Sequence, residues 1–367
     1  MIPINLPEIG EEEIEAVVKV MRSGSLTNAL GAGLRVTKFE DNYAKFAGVK
    51  HAVAVNSGTA ALHSAVVATG VKQGDEVILP SFTFVATAEA VVMAGAKPVF
   101  TDIDPETYNI SSVEIEKNVT RKTKAIMPVD LYGFSAEVKP IKEIAAKHCL
   151  VVIEDAAQAH GASYAGKPAG IFSDAACWSL YASKNITTGE GGVVTTDHDK
   201  VAKTLRLIRT HGEKTKYASI MLGHNYRMSE IQAAIGLVQL EKLPAFLAKR
   251  RKNAKRLTEI LGKTQRLQLP KETKDQRHSW YLYTVRLKDG DETRRNKILE
   301  ELKKKGIGAA AYYVHPIHTM PYYREIFGER KLPETEKAAN QVFSLPVHPD
   351  VTEAQIDYIG KSLLALL

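Results

Sequence analysis

The chain has 367 residues, 44% of them hydrophobic and 25% charged, an ordinary globular composition with enough apolar residues for a large core and enough length for two domains. The formal net charge is +7, but the basic residues are spread along the chain, and the one cluster, Lys249 to Lys252 with Lys255 and Arg256, falls in a helical pattern, which argues against a nucleic-acid stripe and suits an anionic, phosphate-bearing substrate. Only two cysteines, Cys149 and Cys177, occur, both in apolar runs, so no disulfide framework or thiolate metal site is indicated.

No basic-then-apolar signal pattern opens the sequence and no apolar run approaches membrane-spanning length, so the expectation is a cytoplasmic protein without a membrane partner. Residues 9–23 predict a helix, with Ile14, Val17, Val18 and Met21 on one face and Glu11, Glu12 and Glu13 in its first turn. A polar loop over 25–34 leads to a second helix with Val36, Phe39, Tyr43 and Phe46 on one face, so the first fifty residues read as a helical arm preceding the main domain.

From His51 the pattern changes to strands alternating with helices. Strands are predicted at 51–55, 76–79, 98–101, 125–129 and 150–153, with two more in 176–196, and helices at 60–69, from 84 to Gly95, and at 138–148. Such alternation predicts βαβ crossovers and a mostly parallel sheet of seven strands sandwiched by helices. A long helical pattern runs from about Ser229 to Leu261, with a break expected at Pro244. Beyond it, an alternating strand at 280–287, an amphipathic helix at 294–305 and a His-, Pro- and Tyr-rich stretch at 312–323 predict a smaller α+β domain. The division is placed at 1–240 and 241–367.

The stretch from Cys177 to Thr195 organises the chemistry. Lys184 sits between Ala182, Ser183 and Asn185, with a glycine turn at Gly189, Gly191 and Gly192 and strand on both sides. Few charges lie nearby, and surroundings of that kind favour a neutral, nucleophilic amine. Asn56-Ser57-Gly58-Thr59 joins a strand to a helix, where amides and hydroxyls can hold a phosphate or serve only as an N-cap. Asp155 closes an apolar strand, where α/β sheets bind ligands. A carboxylate buried there needs a cation, and a protonated ring nitrogen would serve, although capping a following helix is the plainer role.

Gln158 can reach the same side and donate to a phenolate oxygen, Phe84 can stack on a flat heteroaromatic ring or simply pack in the core, and Ser179 can add a hydroxyl to a phosphate. A phosphate cradle, an aspartate for a ring nitrogen, a stacking aromatic and a Schiff-base lysine are the requirements of one cofactor, pyridoxal 5'-phosphate (PLP). A nicotinamide enzyme would need a G-x-G-x-x-G after the first strand, and none is there.

The motifs N-S-G-T-A-A-L (56–62), G-D-E-V-I-L-P-S-F-T-F (74–84), V-I-E-D-A-A-Q-A-H-G (152–161), Y-A-S-K-N-I-T-T-G-E-G-G (181–192), G-H-N-Y-R-M-S-E-I-Q-A-A-I-G (223–236) and H-P-I-H-T-M-P-Y-Y (315–323) span almost the whole chain. In these the sequence resembles the DegT/DnrJ/EryC1/StrS sugar aminotransferases, fold-type I PLP enzymes acting on nucleotide-linked keto-sugars. The resemblance implies that Lys184 forms the aldimine and shuttles protons, that Asp155 pairs with the pyridine nitrogen, and that Phe84 stacks on the ring. It places Gln158 near the phenolate oxygen and Gly58, Thr59 and Ser179 on the phosphate.

Asn225 is similar to the family residue that reaches the neighbouring subunit's cofactor, which implies a homodimer with shared active sites. Arg227, His315 and His318 are candidates for substrate contacts. The resemblance further implies L-glutamate as amino donor and, in members of closest look, a GDP-linked 4-keto-6-deoxy sugar as acceptor. The loop 25–34 and Gln158 depart from the pattern of that group, which leaves a 3-keto-sugar enzyme open. A PLP-binding regulator without turnover is the other alternative, with no helix-turn-helix or extra domain to support it.

Overall fold

The computed structural model describes residues 1–367. Seven strands form the main sheet: β1 (His51–Val55), β2 (Glu76–Pro80), β3 (Lys97–Thr101), β4 (Thr123–Ile126), β5 (Val151–Asp155), β8 (Ala175–Ser179) and β9 (Gly192–Thr196). A three-stranded ribbon supplies the intervening β6 (Ser163–Tyr164) and β7 (Lys167–Pro168) and the later β13 (Gln276–Arg277). The main-sheet order is β1-β9-β8-β5-β4-β2-β3, and only β9 runs against the others. The sheet is therefore mostly parallel, as expected.

Strand alternation sorts β1 between two cores. Val53 and Val55 join the cluster under α3 (Gly58–Ala68) and α4 (Ala86–Met93). Ala52 and Ala54 face the opposite cluster with Trp178, Val193 and the helix α2 (Leu34–Ala47). Helices thus cover both faces. Because α2 inserts Phe39 and Tyr43 into this core, both fully buried, it is part of the large α/β unit and not a preceding arm.

The helix α8 (Glu230–Leu261) runs unbroken through Pro244, against the predicted break. Its first half packs on α1 (Glu11–Ser23) and α2, and its second half on α12 (Glu353–Leu364). Packing along both halves outweighs the roughly 3 kcal/mol that an interior proline costs a helix. By length and composition α8 alone would also pass for a membrane span. Its N-terminal Glu230, however, is buried and accepts the Arg35 and Val36 amides at 2.9 and 3.2 Å, which ties it into the protein core.

The division expected at 240/241 falls inside α8, whose two halves serve different cores. The second half joins a sheet of β12 (Leu267–Gln268), β14 (Tyr283–Leu287) and β15 (Val342–Leu345), with α9 (Glu292–Lys304) and α12. The predicted strand at 280–287 begins only at Tyr283, because Trp280 takes a left-handed backbone, φ 55°.

Helix α1 corrects another expectation. Of its predicted apolar face, Val17 is half-buried while Ile14, Val18 and Met21 are 48%, 37% and 55% exposed. What holds α1 to α8 is a buried polar clamp. The Glu13 carboxylate accepts from Gln239 Nε2 and Lys242 Nζ, both at 2.8 Å, and from the Gly10 amide at 2.8 Å.

Candidate active site

The parallel strands end on one edge of the main sheet, and the singled-out residues of its loops gather there. Gly192, the first residue of the reversed strand β9, is paired with both Val55 and Ser179. A side chain on Gly192 would run into the Ser57 carbonyl, and a Cβ on Gly58 would lie 2.9 Å from the Ser179 Cβ. These close approaches bring the start of α3 against the end of β8. Ser57 caps α3 by accepting the Ala60 amide at 3.1 Å. The amides of Gly58 and Thr59, in the first helical turn, have no intrahelical carbonyl to bind. Free amides at a positive helix end, beside the Thr59 and Ser179 hydroxyls, form a cradle suited to a phosphate dianion.

Asp155 lies at the end of β5, 4% exposed. Its Oδ2 accepts from the Thr87 hydroxyl at 2.7 Å and its Oδ1 from the Ala157 amide at 3.2 Å. Burial pushes this carboxyl above the ordinary aspartate range, while those two hydrogen bonds and the Lys184 charge pull the other way. No helix follows Asp155, so helix capping does not explain it. A buried carboxylate whose protein partners are a hydroxyl and an amide has unmet demand for a cation, as a ring-nitrogen partner requires. Thr87 sits in the first turn of α4, three residues after Phe84, which is 60% exposed at the same loop.

Lys184 follows β8 in a tight loop closed by Leu180 N–H to Gly191 O at 2.8 Å and Thr188 N–H to Leu180 O at 3.0 Å. Its side chain is half-buried, and Nζ lies 4.5 Å from the ring centroid of Tyr281. Gln158 is held at both ends, since Oε1 accepts the Tyr132 amide at 2.8 Å and Nε2 donates to the Tyr313 hydroxyl at 2.9 Å. The backbone donor fixes which end is the oxygen, so the amide nitrogen is the end turned toward Tyr313. Tyr132 and Tyr313 stack at 6.0 Å, and both have left-handed backbones, φ 59°.

Two further buried acids, Asp130 and Glu154, lie on the same sheet edge. Each accepts one amide, from Ala136 and Gly170 at 2.8 Å, and each keeps one unpartnered oxygen. Burial, and for Asp130 the neighbouring Glu154, pushes both carboxyls up.

The remaining sequence candidates are more dispersed. Asn225 is exposed beside Asn56, which donates to its carbonyl at 3.2 Å, and its own side chain makes no hydrogen bond within the chain. Arg227 bridges Val55 through the backbone, next to the phosphate cradle. His315 is exposed. His318 does not offer a substrate contact, because it is 3% exposed and both ring nitrogens are engaged, with Ser81 Oγ at 2.7 Å and Glu336 Oε1 at 3.3 Å. Burial pushes its imidazole down, so it is a neutral cross-link between the end of β2 and the C-terminal unit. Residues missed in the sequence are Thr87, Tyr132, Tyr281 and Tyr313, which carry no local motif and reach the site from separate elements.

Residues 7–364 match the DegT/DnrJ/EryC1/StrS aminotransferase family. The chain belongs to that family. It is 40% identical over 365 residues to the GDP-perosamine synthase of Caulobacter vibrioides, covering 99% of this chain and 97% of the relative. It is also 40% identical over 364 residues to a protein of Geobacillus stearothermophilus named pleiotropic regulatory protein, covering 98% and 96%. A solved structure described as a sugar aminotransferase from Streptococcus pneumoniae, in its PMP form, superposes with a TM-score of 0.94 at 28% identity, over 100% of this chain and 97% of that one. The protein is a PLP-dependent sugar aminotransferase. The glycine-lined cradle and the cation-seeking Asp155 fit that cofactor.

Proposed function

We propose that this aminotransferase moves an amino group from L-glutamate to C4 of a nucleotide-linked 4-keto-6-deoxy sugar, as a cytoplasmic homodimer with shared active sites, in the synthesis of an amino-sugar polysaccharide. The observation that carries the reading is the gathering of Lys184, Asp155 and the Gly58–Ser179 cradle on one sheet edge. The near full-length likeness to a GDP-perosamine synthase supports a nucleotide-linked substrate. A net charge of +7 suits its diphosphate.

When bound, PLP supplies the carbonyl that receives the amino group and the ring that takes up an electron pair. The chain's own residues do the rest. The Lys184 amine, on a loop closed by hydrogen bonds at Leu180, would take the proton from the donor's Cα and deliver it to the cofactor's C4' carbon, ending the half-reaction as a neutral amine again. Asp155, whose carboxyl burial raises while Thr87, Ala157 and Lys184 draw it back down, would pair with the ring nitrogen and hold the proton there. Gly58, Thr59 and Ser179 would hold the phosphate, and the exposed Phe84 would stack on the ring. The Gln158 amide nitrogen, its direction set by the Tyr132 amide on Oε1, would be the donor to the phenolate oxygen. Arg227 and His315 are left as substrate contacts.

The test is a single turnover with L-glutamate followed by a panel of nucleotide-linked 3-keto and 4-keto sugars, read by absorbance and mass spectrometry. Amination of a 4-keto substrate is expected, and Lys184→Ala should abolish it. Transamination surviving in that variant would refute the role of Lys184, and amination of 3-keto sugars alone would refute the acceptor. The name of the Geobacillus relative favours a second reading, a PLP-binding regulator without turnover. Failure of glutamate to convert the bound cofactor to its amine form would favour that reading.

A further inference from the structure

We infer that the face of Tyr281 is the resting place of the Lys184 ammonium whenever that amine is not bonded to the cofactor, which makes Tyr281 a positioning residue for amino transfer. The inference rests on Lys184 being the cofactor-bearing lysine. Nζ stands 4.5 Å from the Tyr281 ring centroid, inside the range at which a cation is attracted by the negative face of an aromatic ring. No carboxylate forms a salt bridge with Lys184. The titratable groups whose charges bear on it are Asp155 at the end of β5 and His160 in the following turn, the latter pushed down to about 3 by burial and by Lys184 itself. Tyr312, Tyr313 and Arg250 lie within electrostatic range of Tyr281.

The ring is built in and cannot follow the lysine. Tyr281 is 6% exposed, and its hydroxyl pairs with Ser183 Oγ at 3.0 Å, on the residue next to Lys184. Arg250, buried on α8, donates from Nη1 to the Trp280 and Tyr281 carbonyls at 3.2 and 3.3 Å. Its Nη2 donates to Asn5 Oδ1 at 3.0 Å, and Asn5 Nδ2 donates to the Ser183 carbonyl. One guanidinium therefore ties together the backbone beneath the ring and the backbone beside the lysine. A carboxylate in the ring's place would hold the ammonium by a charge-assisted bond and oppose its return to the reaction. An aromatic face orients the ammonium with a preference of only about twofold to thirtyfold.

The test uses enzyme loaded with pyridoxamine 5'-phosphate, in which Lys184 is free of the cofactor. Brief acetic anhydride labelling at one pH is quantified on the Lys184 peptide relative to the other lysine peptides. Tyr281→Met, which removes the ring, should raise relative labelling of Lys184 by about threefold or more. Tyr281→Phe, which keeps the ring, should stay within about twofold of the parent. A trifluorinated phenylalanine at 281 keeps the shape while weakening the negative face, and should label like Tyr281→Met even where the methionine variant folds poorly. Equal labelling of the fluorinated and unfluorinated proteins overturns the inference, as does a rise in Tyr281→Phe equal to that of the ring-less variant. Borohydride reduction of the PLP-loaded parent tests the underlying assignment separately. Cofactor fixed on any residue other than Lys184 would sink that assignment whatever the labelling ratios.

Discussion

Thr87 reaches Asp155 from the first turn of α4 and supplies one of its two hydrogen bonds from within the chain. Burial raises the Asp155 carboxyl and the Thr87 hydroxyl lowers it, so removing the hydroxyl must raise it further. Thr87→Val keeps the side-chain volume and deletes the donor to Asp155 together with the hydroxyl's 3.2 Å hydrogen bond with Thr83 Oγ1. A hydrogen bond to a charged group contributes about 1.5–3 kcal/mol, so kcat/KM should fall by roughly tenfold or more, with the acid limb of its pH profile moved to higher pH. An unmoved acid limb would show that Asp155 ionisation does not limit the reaction.

The same pair illustrates what a sequence exposes at this scale. Lys184 and Asp155 were legible because each stands where apolar strand gives way to loop, a boundary visible in the chain itself. Thr87, Tyr281 and Tyr313 were not, because their value lies in contacts made across 68, 98 and 155 positions of sequence. His318 erred in the other direction. A histidine in a polar motif reads as a ligand contact until burial and two engaged nitrogens turn it into a cross-link.

Among elements, the junction of β1, α3, β8 and β9 places the phosphate cradle. Gly58→Ala puts a methyl group 2.9 Å from the Ser179 Cβ, and both atoms sit on regular backbone with no flexible side chain to yield. The strands must separate by a few tenths of an ångström where the phosphate would bind. Affinity for PLP should weaken by about tenfold, the scale of roughly 1–3 kcal/mol for an overpacked site, with a smaller change in melting temperature of the cofactor-free protein. Equilibrium dialysis measures the first and thermal unfolding the second, and unchanged affinity would place the phosphate elsewhere. The strands and helices around this junction followed from period and turn chemistry, since β1 lies at 51–55 as read from the sequence. Where tertiary contacts overrode local pattern, the reading failed. Pro244 sits inside α8 because packing on both halves holds the helix together. Helix α1 leaves Ile14, Val18 and Met21 exposed because the face it buries is the one carrying Glu13 and Val20.

For the molecule as a whole, that outward stripe is part of a larger pattern. Ile9, Ile14, Met21 and Leu34 of the N-terminal region and Leu222 beside Asn225 are all at least 48% exposed. Of these, Ile14 and Met21 share one helix face, which makes that face a candidate contact surface. Asn225 itself extends an unpaired side chain from the same region as the hairpin of β10 (Glu213–Thr215) and β11 (Ala218–Ser219). If Asn225 completes the partner's cradle in a two-fold dimer, two separately inactive chains should rescue each other.

Lys184→Ala removes the amine from its own site, and Asn225→Asp places a carboxylate against the phosphate of the opposite site. In a mixed dimer, one site inherits both defects and the other inherits neither. Random reassortment of equal amounts makes half the dimers mixed, each with one intact site, so about a quarter of the parent's activity should return. Mixing after mild dissociation, followed by the glutamate half-reaction, reads this directly. Activity that stays at the level of the two separate variants would mean that each chain completes its own site. The exposed stripe of α1 would then have to be covered in some other way.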